Sequence, residues 1–358
     1  MAQTVVIVGA GLIGVMSAVR LRARGAEVTL IDAGQPGALA TGASFGWLNA
    51  GYYLSEAHFR LRRNGIAAWH RLEREIDGLG VEWCGCLSWD VEGAALEARA
   101  GEFARLGYPA QRLARAQIAA RVPELSRTVS EALWLAEEGI AEPGAVFARL
   151  LRAALEAGVR LISGAPVTGL ETRAERINGV ALPGGVIAAD AVLIAAGTGA
   201  CALLGQVDVP LPMLTRPGAL VRSRPVPRVL DAVMVSPDLE FRQDRAGRII
   251  APSAAGHQSD DSEALDAAPD VLGADTVARL AHWLPGVALH WDEVTLAMRP
   301  VPGDGLPVVG RCGPEGLHVA VMHSGITLGA LMGELVAGEI HGGQSAPMLA
   351  PFRPQRFS

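Results

Sequence analysis

The run Thr4-Val5-Val6-Ile7-Val8 is almost wholly apolar, rich in β-branched residues and closed by glycine, which predicts a strand buried on both faces of a parallel sheet. The period then changes. Val15, Ala18, Val19 and Leu21 recur at helical spacing up to Gly25, and Glu27-Val28-Thr29-Leu30-Ile31-Asp32 predicts a second strand. Further along, Val146, Phe147, Leu150, Leu151 and Leu155 predict a helix over residues 143–157, with Gly158 behind it. Short strands are expected at 159–163, 166–171 and 177–182, and Ala191-Val192-Leu193-Ile194-Ala195-Ala196-Gly197 reads as another buried strand ending in glycine.

Strand, helix, strand and a terminal acid in this order predict a dinucleotide-binding βαβ unit, and each small residue between them has a physical use. In Gly9-Ala10-Gly11-Leu12-Ile13-Gly14, Gly9 makes the tight turn and Gly11 lets the backbone approach a pyrophosphate, while Gly14 lets helix and strand pack closely. The helix N-terminus favours the phosphates, and Asp32 can accept the ribose hydroxyls. Because the second buried run comes only at 191–197, this domain is interrupted by an insertion. The expected division is 1–80, 142–212 and 297–358 for the nucleotide domain, with 81–141 and 213–296 forming a second domain.

Composition narrows the classes. A chain of 358 residues, half of them apolar, can bury the core of two closely joined domains. The net charge of -6 argues against a nucleic-acid partner, which usually meets a basic face. All 31 basic residues are arginine, so no step can depend on lysine. Cys84, Cys86, Cys201 and Cys312 are too few and too scattered for a disulfide framework, and Cys84-Gly85-Cys86 lacks the second pair of a metal site. Free thiols and no metal are expected. No targeting segment is expected ahead of the fold, and apolar stretches such as 188–197 are about ten residues long, too short for a bilayer. The expected location is the cytoplasm, either free or peripheral to the inner membrane.

The motifs in series carry more than any one alone. They run from the glycine turn and Asp32 through Thr41-Gly42-Ala43-Ser44-Phe45-Gly46-Trp47-Leu48-Asn49-Ala50 to Val192-Leu193-Ile194-Ala195-Ala196-Gly197. They continue through Arg299-Pro300, Asp304-Gly305-Leu306-Pro307, Gly316-Leu317-His318-Val319-Ala320 and His323-Ser324-Gly325-Ile326-Thr327 to Pro351-Phe352-Arg353-Pro354. In this order the chain resembles, nearly end to end, the FAD-dependent amine and amino-acid oxidoreductases: D-amino-acid oxidase, glycine oxidase, sarcosine oxidase and D-amino-acid dehydrogenase. The resemblance implies an α/β fold: a discontinuous, Rossmann-like FAD-binding domain plus an α+β substrate domain with a mainly antiparallel sheet.

Several roles follow from the resemblance. Ala43, Ser44, Gly46 and Trp47 match the segment that runs past the pyrophosphate and along one flavin face. Val167 matches the position that recognises adenine, and Gly197 lies where backbone approaches the nucleotide. Gly325, Ile326 and Thr327 match the start of a C-terminal helix whose amides favour negative charge at the flavin's pyrimidine edge. Arg299 matches the arginine whose fork grips a substrate carboxylate. His323 is a candidate for substrate or flavin contact, with helix capping as the plain alternative. Glu240, in the strand expected at 239–243, stands where glycine oxidases carry a tyrosine; it faces either the substrate or, paired with Arg242, the solvent at a sheet edge. His257 is expected to be a loop residue.

Two departures are visible. Sarcosine oxidases attach their flavin through a cysteine just ahead of this arginine segment, and here the position is Ala297. Non-covalent FAD is therefore expected. The glycine-histidine-glycine pattern of the C-terminal motif is replaced by Met322-His323-Ser324-Gly325. The implied reaction is oxidation of an amino acid or N-substituted amino acid to an imine, hydrolysed to a keto acid and ammonia or an amine. Oxygen, a quinone or an electron carrier would be the acceptor. The missing lysine favours a dehydrogenase, since sarcosine oxidases use a lysine above the flavin for oxygen. Alternative readings are a non-catalytic subunit of a heteromeric oxidase, a homo-oligomeric enzyme of the same kind, or a flavoprotein reductase of another class.

Overall fold

The structure is a computed structural model that describes residues 2–125, 129–254, 260–265, 267–343 and 345–358. His257 lies outside the described residues.

The two strands read from the opening of the chain form as expected. Thr4–Val8 and Glu27–Ile31 pair in parallel, joined by the helix Leu12–Ala23. Ala191–Ile194 pairs in parallel on the other side of Thr4–Val8, Leu317–Val321 continues the sheet, and Val308–Arg311 closes it as an antiparallel edge strand. With Arg160–Ile162 at the opposite edge, the sheet has six strands, and its central apolar residues are fully buried. Chain segments far apart in sequence thus build one layer, as the repeated glycine-ended strands implied.

Glycines let the helices on this layer approach to backbone contact. A Cβ at Gly333 would lie 2.9 Å from the Met16 carbonyl oxygen, and one at Gly65 would lie 2.5 Å from that of Thr327. The C-terminal helix Gly325–Gly342 is therefore wedged between Leu12–Ala23 and the long helix Glu56–Glu75, and its N-terminus is held in one place.

A second, eight-stranded sheet takes the order Trp291–Met298, Pro217–Ser223, Ile249–Pro252, Glu240–Gln243, Val233–Val235, Cys86–Ser88, Glu131–Leu135, Ala110–Ala114. It is antiparallel except where Val233–Val235 meets Cys86–Ser88. Its own core gathers Trp89, Phe241 and Trp283, with Trp89 edge-on to both other rings.

Two strand boundaries differ from the pattern by three residues. The strand expected at 166–171 begins at Gly169, because Pro166 has no N–H to give a ladder, and Val167 precedes the hairpin. The strand expected to run to Gly197 ends at Ile194; Gly197, at φ +55°, opens the short 3-10 helix Gly197–Gly199 beyond the sheet's C-terminal edge. No helix among the described residues is long and apolar enough to cross a membrane.

Candidate active site

Above the C-terminal ends of the parallel strands lies a cavity of about 720 Å³. Gly9, at φ +105°, forms its floor; a Cβ there would lie 2.4 Å from the Ala195 carbonyl oxygen. Gly14 serves packing, since its Cβ would collide with the Gly9 oxygen at 1.9 Å. Gly11 is the N-cap of the first helix and faces the cavity. Each Asp32 carboxylate oxygen already accepts one backbone amide at 2.8 Å, from Ala10 and Gly34, which fixes the acid at the cavity wall beside Val167.

The opposite wall is Ala43, Ser44, Gly46 and Trp47, and Gly197 also lines the space. Gly46 takes φ +83°, and a Cβ on it would lie 2.6 Å from the Ala141 oxygen, so the segment passes close under the strand Gly139–Ala141. At the far end sit Gly325, Ile326 and Thr327. The first internal bond of their helix is Leu328 N–H to the Ser324 carbonyl, which leaves the amides of these three residues outside the helical ladder. The Thr327 hydroxyl ties Trp47 to Asn49, donating to one carbonyl and accepting the other's amide at 3.2 Å.

A second cavity, of about 760 Å³, opens against the eight-stranded sheet. Arg299, Glu240, His323, Tyr52, Asp260 and Arg216 are in its wall. Glu240 is 4% exposed, and its strand lies inside the sheet, so the solvent-facing pair at a sheet edge is not what forms. Arg242 turns to the segment 43–47, where its Nε donates to the Phe45 carbonyl at 2.7 Å, and its guanidinium pairs with Glu142 at 2.5 Å. Arg299 is paired with Asp260 at 2.6 Å, both largely buried; burial lowers the Arg299 pKa and Asp260 partly offsets this. His323 is in contact with the Ser324 hydroxyl at 3.4 Å through Nδ1. Burial, then Asp90, pushes the Tyr52 phenol well above its ordinary range, so it stays a neutral hydrogen-bonding group.

Arg62, Arg299, His323 and Ser324 line both cavities, which makes the two spaces one site with two compartments. Residues 4–339 match the family of FAD dependent oxidoreductases. The chain belongs to that family. This oxidoreductase is similar to glycine oxidase of Pseudomonas aeruginosa, 27% identical over 99% of both chains. It is 26% identical to D-amino-acid oxidase of Bradyrhizobium diazoefficiens over 99% of this chain and 98% of that one. It also matches the bifunctional protein ThiO/ThiG of Trichormus variabilis at 29% identity, spanning 55% of that longer protein. In fold it is similar to glycine oxidase from Geobacillus kaustophilus, with a TM-score of 0.87, 24% identity and 99% of each chain covered. Iminodiacetate oxidase from Chelativorans sp. BNC1 aligns with a TM-score of 0.84 and 23% identity over 98% of each chain.

The first cavity fits FAD on the oxidoreductase's own features. Gly9 and Gly14 leave no room for side chains in the turn, a helix N-terminus borders the floor, and a second helix end presents free amides at the far side. No cysteine is among the residues described along its wall, and Ala297 is there instead.

Arg62, Asn49, Ser324 and Asp260 also belong to this site, although none was singled out as a site residue from the sequence. Arg62 carried a readable signal: it sits on the face Phe59, Ile66, Trp69 of an amphipathic helix, where a charge is out of pattern. Asp260 carried none, because its meeting with Arg299 joins residues 39 apart through the tertiary fold.

Proposed function

We propose that this oxidoreductase acts on CH–NH or CH–NH2 donors, oxidising a D-amino acid, a glycine derivative or an opine-like N-substituted amino acid. Arg299 holds the substrate carboxylate. The observation that carries this reading is the shared wall: Arg299 lines both compartments, so a carboxylate held on it would sit beside the cofactor compartment. The names of the similar proteins, glycine oxidase, D-amino-acid oxidase and iminodiacetate oxidase, support the same substrate class. Residues 1–80, 142–212 and 297–358 form the cofactor domain in this reading, and 81–141 with 213–296 the substrate domain.

When bound, FAD supplies a two-electron acceptor for the α-hydrogen. The protein's part is placement. The substrate carboxylate exchanges for Asp260 on the Arg299 guanidinium, an anion-for-anion replacement that leaves the buried cation compensated. Glu240, buried in the same wall, attracts the amine. Held at two points, the α-carbon is oriented without a dedicated base, and loss of its hydrogen with the bonding electrons leaves an imine for water to hydrolyse. His323 borders the reacting atoms from the cofactor side. FAD is held non-covalently through the glycine turn, Asp32 and the C-terminal helix end.

Arg299→Ala and Arg299→Lys test the anchor. Both should keep the flavin spectrum and weaken benzoate-like acids by roughly 2–5 kcal/mol, since lysine cannot reproduce the fork. Spectral titration checks this, and parental affinity in Arg299→Ala would contradict the assignment.

A further inference from the structure

Arg62 is 2% exposed, lies on the apolar face of the helix Glu56–Glu75, and borders the cofactor and substrate compartments together. Its hydrogen bonds all end on uncharged oxygens. Nε donates to the Asn49 carbonyl at 3.1 Å, and the two Nη groups donate to the Asn49 amide oxygen and the Ser324 hydroxyl. No ion pair among the described residues includes it, whereas Arg242, equally buried, has Glu142. A guanidinium taken out of water without a bonded anion is costly. Burial draws its pKa down to about 10, so it remains cationic at neutral pH. Two buried acids act on it through space, Glu138 more and Glu240 less; burial pushes Glu138 up to about 7, and that carboxylate accepts its hydrogen bonds from Ala50, Gly51 and Tyr108.

We propose that Arg62 supplies the counter-charge for reduced FAD. In the oxidation, the α-C–H bond breaks, and its electron pair and proton pass together to the cofactor. The C–N bond becomes C=N, so the substrate gains one positive charge and the cofactor one negative charge. The buried cation lacking a bonded anion then has its complement. Ser324 aims it: as N-cap of the C-terminal helix, with its backbone at φ +60°, it makes no side-chain cap bond, and its hydroxyl accepts from Arg62. The guanidinium is thereby tied to the same helix end whose Gly325, Ile326 and Thr327 face the cofactor compartment, and the two fields add.

The inference rests on FAD binding and is independent of which amine is oxidised. Its test uses inorganic sulfite, which adds to oxidised flavin and leaves it negatively charged, together with the midpoint potential of the bound cofactor. FAD-loaded Arg62→Gln should bind sulfite about tenfold or more weakly and show a lower potential, whereas Arg62→Lys should stay within about threefold of the parent. Should Arg62→Gln not take up FAD, Asn49→Asp replaces it: a carboxylate at the same contact neutralises the charge without removing the side chain, and should weaken sulfite binding likewise. Sulfite affinity and potential at parental values in the charge-removed protein would overturn the proposal, as would an Arg62→Lys loss equal to that of Arg62→Gln. A chain that binds sulfite as expected but is bleached by no amino acid would sink the substrate reading alone.

Discussion

Glu138 takes three donors on one carboxylate oxygen, from the Ala50 and Gly51 amides and the Tyr108 hydroxyl, and its second oxygen meets no hydrogen-bond partner among the described residues. Burial raises its pKa from 4.5 to about 7, more than the bonded donors and Arg62 lower it. The folded chain therefore keeps this proton at pH values where the unfolded chain has released it. Its contribution to stability is complete below the unfolded value and is lost as pH rises through about 7. Glu138→Gln preserves the accepting oxygen and removes the ionisation. The urea midpoint of the variant should gain on that of the parent between about pH 5 and about pH 8, and a pH-independent difference would contradict this. His58 follows the opposite sense: burial and Arg62 hold its pKa near 3, so it stays neutral and its contribution is lost as pH falls below the unfolded value. At this scale the glycines and Asp32 were picked out by local rules of turn and charge, and Arg299 by the family resemblance; the structure puts Gly9, Gly11, Asp32 and Arg299 in the walls of the two cavities. Asp260 and Asn49 were not picked out, because only the fold brings them to their arginines.

Among the elements, the strand Glu240–Gln243 shows both the reach and the limit of pattern. Period-two alternation placed Glu240 and Arg242 on one face opposite Phe241, and Phe241 does enter the Trp89–Trp283 core. Alternation could not say whether the charged face meets water, since that depends on the strands 233–235 and 249–252 flanking it. Once buried, Arg242 becomes a strut from this sheet to the Phe45 carbonyl and to Glu142, the residue that precedes the helix Pro143–Glu156. Phe45 belongs to the segment that walls the cofactor compartment. Arg242→Gln should cost about 3 kcal/mol, the low end for breaking a buried pair because Glu142 keeps some exposure, and should weaken FAD retention. Denaturant unfolding and the flavin-to-protein ratio after gel filtration check both; an unchanged ratio would remove the strut from the cofactor's support.

For the molecule as a whole, the parallel sheet was legible from apolar runs and glycine turns, whereas the order of the eight-stranded sheet was not, because its strands are short and paired across long sequence separations. The meeting of the two compartments follows from that assembly. It leaves arginines, Arg62, Arg216 and Arg299 among them, as cations at the site of a chain with no lysine. Because there is no lysine to stand above the flavin for oxygen, electrons are expected to leave to a quinone or carrier more readily than to oxygen. Air reoxidation of the reduced protein in stopped flow should be slower than turnover with a quinone, and comparable rates would reverse this assignment.

Anaerobic mixing of the FAD-loaded protein with D-amino acids, N-alkyl glycines and opines, followed by flavin absorbance, tests whether the protein oxidises an amine held by its carboxylate on Arg299. At least one of these carboxylate-bearing amines should bleach the flavin and yield a keto acid, and Arg299→Ala should lose this at the same substrate concentration. A flavin that stays oxidised with every one of them, or bleaching that survives in Arg299→Ala, would contradict that reading.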